Sequence, residues 1–285
     1  MVLTKKGTHL ERCMKLPKIY EHFRQGQIFT IEEARIKLKT TGNTLRKRLS
    51  ELAARGYIFS IRQGLYRVSK IGERPGVEKS SPFAVAGKIT PYSYVGFHSA
   101  LQLHAKEIPK ENDTIYVVSP TKFNSFRFEG VHYFWCQTPE PHGLETFLLR
   151  ENEVEYAVLT TNFEKSLVDC LKRPTHCPPF YELVRLCRKI DHSPDLEKIL
   201  KYATDCNVQA LFNRLGFLFD NNFTHWSIQD TFFKYIEERM SRKQTEWPII
   251  YEKQKETSVL KGKTIPPSDM SAYEPKNRWK VQFNQ

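Results

Sequence analysis

Several signatures of catalysis and membrane insertion are missing from this sequence. It contains no G-x-x-x-x-G-K-[ST] or G-x-G-x-x-G loop to cradle a phosphate, no G-x-S-x-G nucleophile elbow and no H-E-x-x-H zinc motif. No stretch approaches the ~18 apolar residues of a membrane helix, and no long apolar run follows the positive charges at the N-terminus. These absences disfavour an enzyme, and we expect a cytoplasmic protein with no catalytic residues and no cofactor.

Paired cysteine motifs are also absent. No C-x-x-C pair occurs among the six cysteines, which are Cys13, Cys136, Cys170, Cys177, Cys187 and Cys206. In a cytoplasmic protein, cysteines scattered in this way are expected to be reduced and buried. The spacing of Cys170, His176 and Cys177, or of His9 and Cys13, differs from that of the common zinc fingers, so no metal site is predicted.

Acidic residues are scarce in the first part of the chain. Residues 1–75 contain 17 Lys and Arg but only 6 Asp and Glu, a net charge of +11, while the whole chain of 285 residues carries +12. The remaining 210 residues are therefore nearly neutral. A generally solvated surface would not segregate charge in this way, whereas a surface that neutralises nucleic-acid phosphates would.

The basic segment has the pattern of a helix followed by a hairpin. Leu45, Leu49 and Leu52 recur on one face of a helix that Gly56 ends, and two β-forming runs then flank a turn at Gln63-Gly64. The residues expected to contact DNA lie on the other side of this helix and in the hairpin. They are Asn43, Thr44, Arg46, Lys47, Arg48, Arg62, Gln63 and Arg67.

The residues before the basic helix complete a known type of module. Thr30 and Glu33 have the spacing of a capping box that opens a short helix, and Thr41 or Asn43 is placed to cap the basic helix. A first helix is predicted over Leu16–Phe23. Three helices and a hairpin predict a winged helix-turn-helix domain over residues 1–75, with the basic helix in the major groove of DNA.

The rest of the chain, residues 76–285, predicts a mixed-sheet domain with C-terminal helices, so the fold class is α+β. The sheet is expected at about 90–160 with about five strands, the helices at about 161–240, and a polar tail at 247–285. Two tail strands, at 249–251 and 278–283, are expected to return to the main body because Trp279 and Phe283 alternate with polar residues.

Some polar residues of this second part could suggest catalysis. His98 and His104 have no nearby nucleophile with an obvious partner, so we interpret them as structural. Glu164, Lys165 and Asp169 could belong to a nuclease site, but such sites need these groups on adjacent strands. Here they fall on a predicted helix, which favours an exposed or salt-bridged face.

The order of several segments resembles that of the AbiEi family of antitoxins and transcriptional regulators from bacterial defence loci. The segments are the basic N-terminal module, FHSALQLH, TTNFEKSLVDCLKRP, VQALFNRLGFLFD and the terminal NRWKVQFN. The resemblance covers nearly the whole chain. The stretch FNRLGFLF at Phe212–Phe219 and the ending at Trp279–Asn284 look most typical of the family.

This resemblance implies a two-part protein of a type IV toxin–antitoxin system. The winged helix would repress its own operon by binding inverted repeats in double-stranded DNA. The C-terminal domain would counteract an AbiEii-like nucleotidyltransferase toxin, without any need for direct binding between the two proteins. Two alternatives remain open, namely a stand-alone transcription factor that senses a ligand and an enzyme that modifies nucleic acid.

Overall fold

The fold of this computed structural model is α+β, as the sequence predicts. The structure describes residues 18–73, 79–137, 142–151, 153–220, 226–243, 245–247 and 277–283. It divides into two compact units. The first contains Met1–Pro91 and Leu148–Val158, and the second contains Tyr92–Phe147 and Leu159–Gln285.

The first unit begins with three helices and a three-stranded antiparallel sheet. The sheet has the order β1-β3-β2. Apolar side chains from all three helices and from the sheet form one core, in which Phe29, Ala34 and Leu49 are almost fully buried. The elements are α1 (Ile19–His22), β1 (Ile28–Thr30), α2 (Ile31–Leu38), α3 (Gly42–Ala54), β2 (Ile58–Arg62) and β3 (Leu65–Val68).

The predicted domain boundary after residue 75 differs from the division in the structure. A short buried helix, α4 (Pro82–Ala86), still belongs to the first unit, and Lys88 forms an ion pair of 2.6 Å with Glu33 of α2. Segment 148–158 also belongs to this unit, because the Tyr156 hydroxyl accepts a hydrogen bond from the Ile28 N–H at 3.1 Å. These contacts join residues more than 50 positions apart, which local sequence patterns do not reveal.

A mixed sheet of six strands replaces the roughly five that were predicted. Its order is β6-β7-β5-β4-β9-β8, with β5 parallel to β7 and antiparallel to β4. The last hairpin is more regular than expected, because its strands continue through the polar residues and leave only 152 and 153 between them. The strands are β4 (Tyr94–Val95), β5 (Thr114–Val118), β6 (Phe126–Phe128), β7 (Val131–Cys136), β8 (Leu144–Glu151) and β9 (Val154–Thr161).

Helices follow the sheet in the second unit, close to the predicted positions. Asn162 and Asp195 cap α6 and α8 by accepting N–H groups three residues later, at 2.9 and 3.0 Å. None of the described helices is long and apolar enough to cross a membrane. One helix, α5 (Phe97–His104), lies between β4 and β5, and those after the sheet are α6 (Phe163–Lys172), α7 (Phe180–Arg188), α8 (Leu196–Cys206), α9 (Gln209–Asp220) and α10 (Asp230–Arg239).

The C-terminal segment returns to the second unit, as predicted. Its strand β11 (Val281–Phe283) pairs in parallel with β10 (Thr245–Trp247), while Ile249–Tyr251, the other predicted strand, lies outside the described residues. Trp279 is fully buried, and its indole N–H donates to Asp220 at 3.0 Å.

Two residues of the FNRLGFLF segment hold this tryptophan in place. The Asn213 amide donates to the Trp279 carbonyl at 2.7 Å and accepts the Ser241 N–H at 2.8 Å. A Cβ atom at Gly216 would lie 2.2 Å from the Trp279 ring, so only glycine leaves room for the indole. The FNRLGFLF segment and the segment that carries Trp279 therefore pack against each other.

Candidate nucleic-acid interface

A helix, a tight turn and a second helix present the basic residues of the first unit. The predicted capping box opens α2, because the Thr30 hydroxyl accepts the Glu33 N–H at 3.2 Å and Glu33 accepts the Thr30 N–H at 2.7 Å. The turn needs left-handed backbone at Lys39 (φ 49°) and at Gly42 (φ 60°). Thr41 occupies the predicted N-cap position of α3, but its side chain makes no capping hydrogen bond.

The two faces of α3 differ as the sequence predicts. Leu45 and Leu49 are buried at 2% and 1% exposure, and Leu52 packs half-buried against the same core. The polar face carries four exposed predicted contacts, which are Asn43, Thr44, Arg46 and Lys47. Arg48 lies between the faces and is half-buried, while Glu51 is an exposed carboxylate further along the helix.

The hairpin after α3 is fixed by local backbone chemistry. Gly56 has φ 74°, and the N–H groups of Gly56 and Tyr57 donate to Ala53 and Leu52, which is the pattern of a Schellman motif. The turn between β2 and β3 is Gln63-Gly64, with Gly64 at φ 81°. The hairpin tip therefore lies where the sequence predicts it.

The two predicted contacts at this tip differ in environment. Gln63 is exposed, whereas Arg62 is half-buried and burial lowers the pKa of its guanidinium. Arg62 therefore reaches solvent with only part of its side chain.

The prediction for Arg67 needs correction. This residue is only 4% exposed, and its guanidinium donates to both carboxylate oxygens of Glu73 at 2.5 and 3.1 Å. It also lies 4.8 Å from the centre of the Phe59 ring on the neighbouring strand. Burial opposes the ionisation of Glu73, but hydrogen bonds from Arg67 and from the Lys70 N–H outweigh it and lower the pKa of Glu73. Arg67 is thus an internal ion-pair partner and does not belong to the exposed interface.

The residues that could have indicated catalysis form internal contacts or, in the case of His98, are buried. His104 donates from Nε2 to the Thr161 carbonyl at 2.8 Å, and burial is the main cause of the lowered pKa of His98. Lys165 and Asp169 form an ion pair within α6, and Glu164 accepts the Asp195 N–H at 2.9 Å. The interpretation of this helix face as salt-bridged is confirmed.

The cysteines of the described part are free thiols, and four of the five are buried. Burial raises the pKa of Cys136 to about 12 and also raises the pKa values of Cys170 and Cys187. Within the same residues, no group of three or more His, Cys, Asp and Glu side chains is placed to hold a metal ion. His9 and Cys13 lie outside them.

Comparison with known proteins finds a similar fold and no matching sequence. No protein-family model matches the chain, and a search of curated proteins gives no match. A crystal structure of the RV2827C protein from Mycobacterium tuberculosis is similar, with a TM-score of 0.53 and 12% sequence identity. The similarity covers 90% of this chain and 86% of that one. At this identity the likeness concerns the fold alone.

Proposed function

We propose that the chain is a DNA-binding repressor whose first unit is a winged helix-turn-helix. The order of three helices and an antiparallel hairpin supports this proposal, because winged modules place a basic helix in the major groove and a hairpin beside it. In this proposal α3 is the recognition helix and the β2–β3 hairpin is the wing.

The observation that carries the proposal is the separation of charge from apolar surface on α3. Arg46 and Lys47 are exposed opposite the buried Leu45 and Leu49, within a segment that holds +11 of the net charge of +12. The major groove is about 12 Å wide and admits an α-helix. Asn43, Thr44, Arg46 and Lys47 would face the bases and phosphates, with Arg48 beside them. Arg62 and Gln63 would contact DNA from the wing.

We further propose that the protein acts as an antitoxin, on the basis of its resemblance to the AbiEi family. It would repress its operon through inverted repeats, and its second unit would counteract an AbiEii-like nucleotidyltransferase toxin in the cytoplasm without a required direct contact. The mutual packing of Asn213, Gly216 and Trp279 supports this resemblance, because it explains why these separated segments occur together. We propose no catalytic residues for the chain itself.

A gel shift tests the DNA-binding proposal. The probe is the double-stranded DNA upstream of the chain's own gene, and the variant is Arg46→Ala with Lys47→Ala. Loss of one base-contacting arginine is expected to cost about 1–3 kcal/mol of binding energy. The matched control is Lys201→Ala with Lys234→Ala, which removes the same charge from exposed positions of the second unit. Equal affinity of the two double variants would contradict the proposal.

A growth assay tests the antitoxin proposal separately. The neighbouring gene is induced together with the full chain, with the Arg46→Ala/Lys47→Ala variant, or with an empty vector. We expect both forms of the chain to restore growth when expressed from a foreign promoter, because the proposed antitoxic activity belongs to the second unit. Failure of the wild-type chain to restore growth, at a level where it is soluble, would contradict the antitoxin role but leave the DNA-binding role standing.

A further inference from the structure

Strands β6, β7 and β5 belong to the second unit, and one face of this part of the sheet is covered at one end and open at the other. Side chains two residues apart along a strand share a face, and the register of β6, β7 and β5 places them in rows. Cys136 and Val118 form one row and are buried at 4% and 3% beneath the helices. The next row pairs Phe134 with Tyr116, and Phe134 is 38% exposed. The helices therefore stop short of this part of the sheet.

Aromatic rings are concentrated where the face opens. We call this group the aromatic patch, and its members are Tyr116, His132, Phe134 and His176. The Phe134 ring centre lies 6.0 Å from Tyr116, 6.1 Å from His132 and 6.0 Å from His176. His176 is itself stacked on the buried Phe97 at 4.9 Å, so the patch is anchored on the core.

Positive charge flanks the aromatic patch at both ends. Arg127 is exposed on β6 directly opposite His132, and its guanidinium also donates to Asn112 at 3.3 Å. Arg173 lies over Phe97 with its guanidinium carbon 5.9 Å from the ring centre, and it donates to the Gln137 carbonyl at 3.3 Å.

The surroundings of the patch lower the pKa values of both of its imidazoles. Burial and the nearby Arg127 lower the pKa of His132, while burial and Arg173 lower the pKa of His176. Arginines are thus the charged side chains that lower these two pKa values, and a guanidinium group suits a phosphate.

We propose that the aromatic patch binds a single-stranded nucleic acid, which is an activity beyond the duplex recognition proposed for the first unit. An unpaired base has two open faces and stacks on aromatic side chains, while the phosphates on either side meet cationic groups. A duplex offers phosphates but keeps its bases stacked inside, so it suits the patch less well. The exposed Phe134 is the stacking residue, and Arg127 is the phosphate contact.

Fluorescence anisotropy of the full chain tests this proposal. The probes are labelled oligo(U) and oligo(dT) of about 12 nucleotides, a length within the usual site sizes of such surfaces. Binding to either oligomer is expected, and a difference between them tells whether the natural ligand is RNA or DNA. Phe134→Ala should weaken binding by about 5-fold to 150-fold, which is the range for loss of one stacked base. Phe134→Tyr keeps the ring and should bind like the wild type.

Two further variants distinguish binding at the aromatic patch from binding elsewhere on the chain. Arg127→Gln, at an exposed position, should reduce the salt slope of binding by about 0.7, the contribution of one phosphate on a single strand. If Phe134→Ala does not fold, the salt slope of Arg127→Gln tests the proposal in its place. Tyr181→Ala is the control, because that ring is 68% exposed on α7 and is not among the rings in contact with the patch. This variant should bind like the wild type.

Several results would overturn the proposal. One is an affinity for the oligomers equal to that of the wild type in both Phe134→Ala and Arg127→Gln, which would mean that the patch only packs at the edge of the hydrophobic core and binds no nucleic acid. Another is loss of oligomer binding in Arg46→Ala/Lys47→Ala, which would assign the binding to α3. Absence of binding to both oligomers by the wild-type chain would also refute it. These results concern only the binding of single strands by the aromatic patch. The gel shift with duplex DNA tests the proposed function of the first unit separately.

Discussion

Substitution of Gly216 by alanine should destabilise the second unit, although alanine is the better helix former. The added Cβ would lie 2.2 to 2.5 Å from three carbons of the Trp279 ring, whereas carbon atoms normally approach to about 3.5–4.0 Å. The ring or the helix must then move by more than roughly 1 Å. Hydrogen bonds from Asn213 to the Trp279 carbonyl and from the indole to Asp220 oppose that movement.

The expected magnitude follows from two opposing effects. Overpacking of a core costs about 1–3 kcal/mol, and the severity of this clash places it near the upper value. Replacing glycine in a helix interior gains about 1 kcal/mol. The free energy of unfolding should therefore fall by roughly 2 kcal/mol in Gly216→Ala.

The effect of Gly216→Ala on the free energy of unfolding should change sign when the Trp279 ring is absent. Trp279→Ala alone should cost about 3–5 kcal/mol, because it empties a fully buried site. In that background Gly216→Ala meets no ring and should stabilise the unit by about 1 kcal/mol. The two substitutions are thus coupled by about 3 kcal/mol, the upper end for residues in contact.

Urea unfolding followed by circular dichroism measures these differences. Gly87→Ala is a suitable control, since its Cβ would meet neighbours at ordinary distances of 3.6 to 3.8 Å and its φ is −66°. An unchanged midpoint in Gly216→Ala, or equal destabilisation with and without Trp279, would refute the packing argument.

Three other predictions concern the two units separately. Glu73→Gln should lower the free energy of unfolding by roughly 3–5 kcal/mol at pH 7, because it leaves Arg67 buried without its carboxylate partner. Since the pKa of Glu73 is lowered in the folded protein, the ion pair contributes its full stabilisation above about pH 4.3, the value of an unfolded Glu, and loses it as the pH falls through the folded pKa. The urea midpoints of the wild type and of Glu73→Gln should therefore converge in acid. A fragment of residues 1–79 lacks α4 and segment 148–158, so it should unfold at a lower urea concentration than residues 1–79 do in the full chain, and it should bind duplex DNA weakly. Equal stability would mean that α4 and segment 148–158 contribute little to the stability of the first unit. Cys136, Cys170 and Cys187 should resist iodoacetamide until urea unfolds the chain, as mass spectrometry of the labelled peptides would show; rapid labelling of the native protein would contradict their burial and raised pKa values.

The sequence predicts those parts of the fold that depend on neighbouring residues. The capping box at Thr30, the glycine at the end of α3 and the Gln63-Gly64 turn all follow from short patterns, and the structure contains them. The two faces of α3 follow from helical periodicity in the same way. The exposed part of the candidate DNA interface was therefore predictable.

Long-range contacts account for what the sequence did not predict. Arg67 looked like a wing residue because its type is basic, but Glu73 and Phe59 enclose it in the folded unit. The extension of the first unit to residues 79–91 and 148–158 depends on pairs such as Lys88 with Glu33. The aromatic patch likewise needs the register of three strands and the position of His176, neither of which is local.

The salt dependence of duplex binding tests the central claim most directly. For the wild-type chain, log K against log salt should have a slope on the order of −4 to −5, as about 4–6 neutralised phosphates require. The slope should become shallower by up to about 2 in Arg46→Ala/Lys47→Ala and stay unchanged in Lys201→Ala/Lys234→Ala. A flat titration, or the same slope in all three proteins, would contradict the assignment of duplex binding to the exposed face of α3.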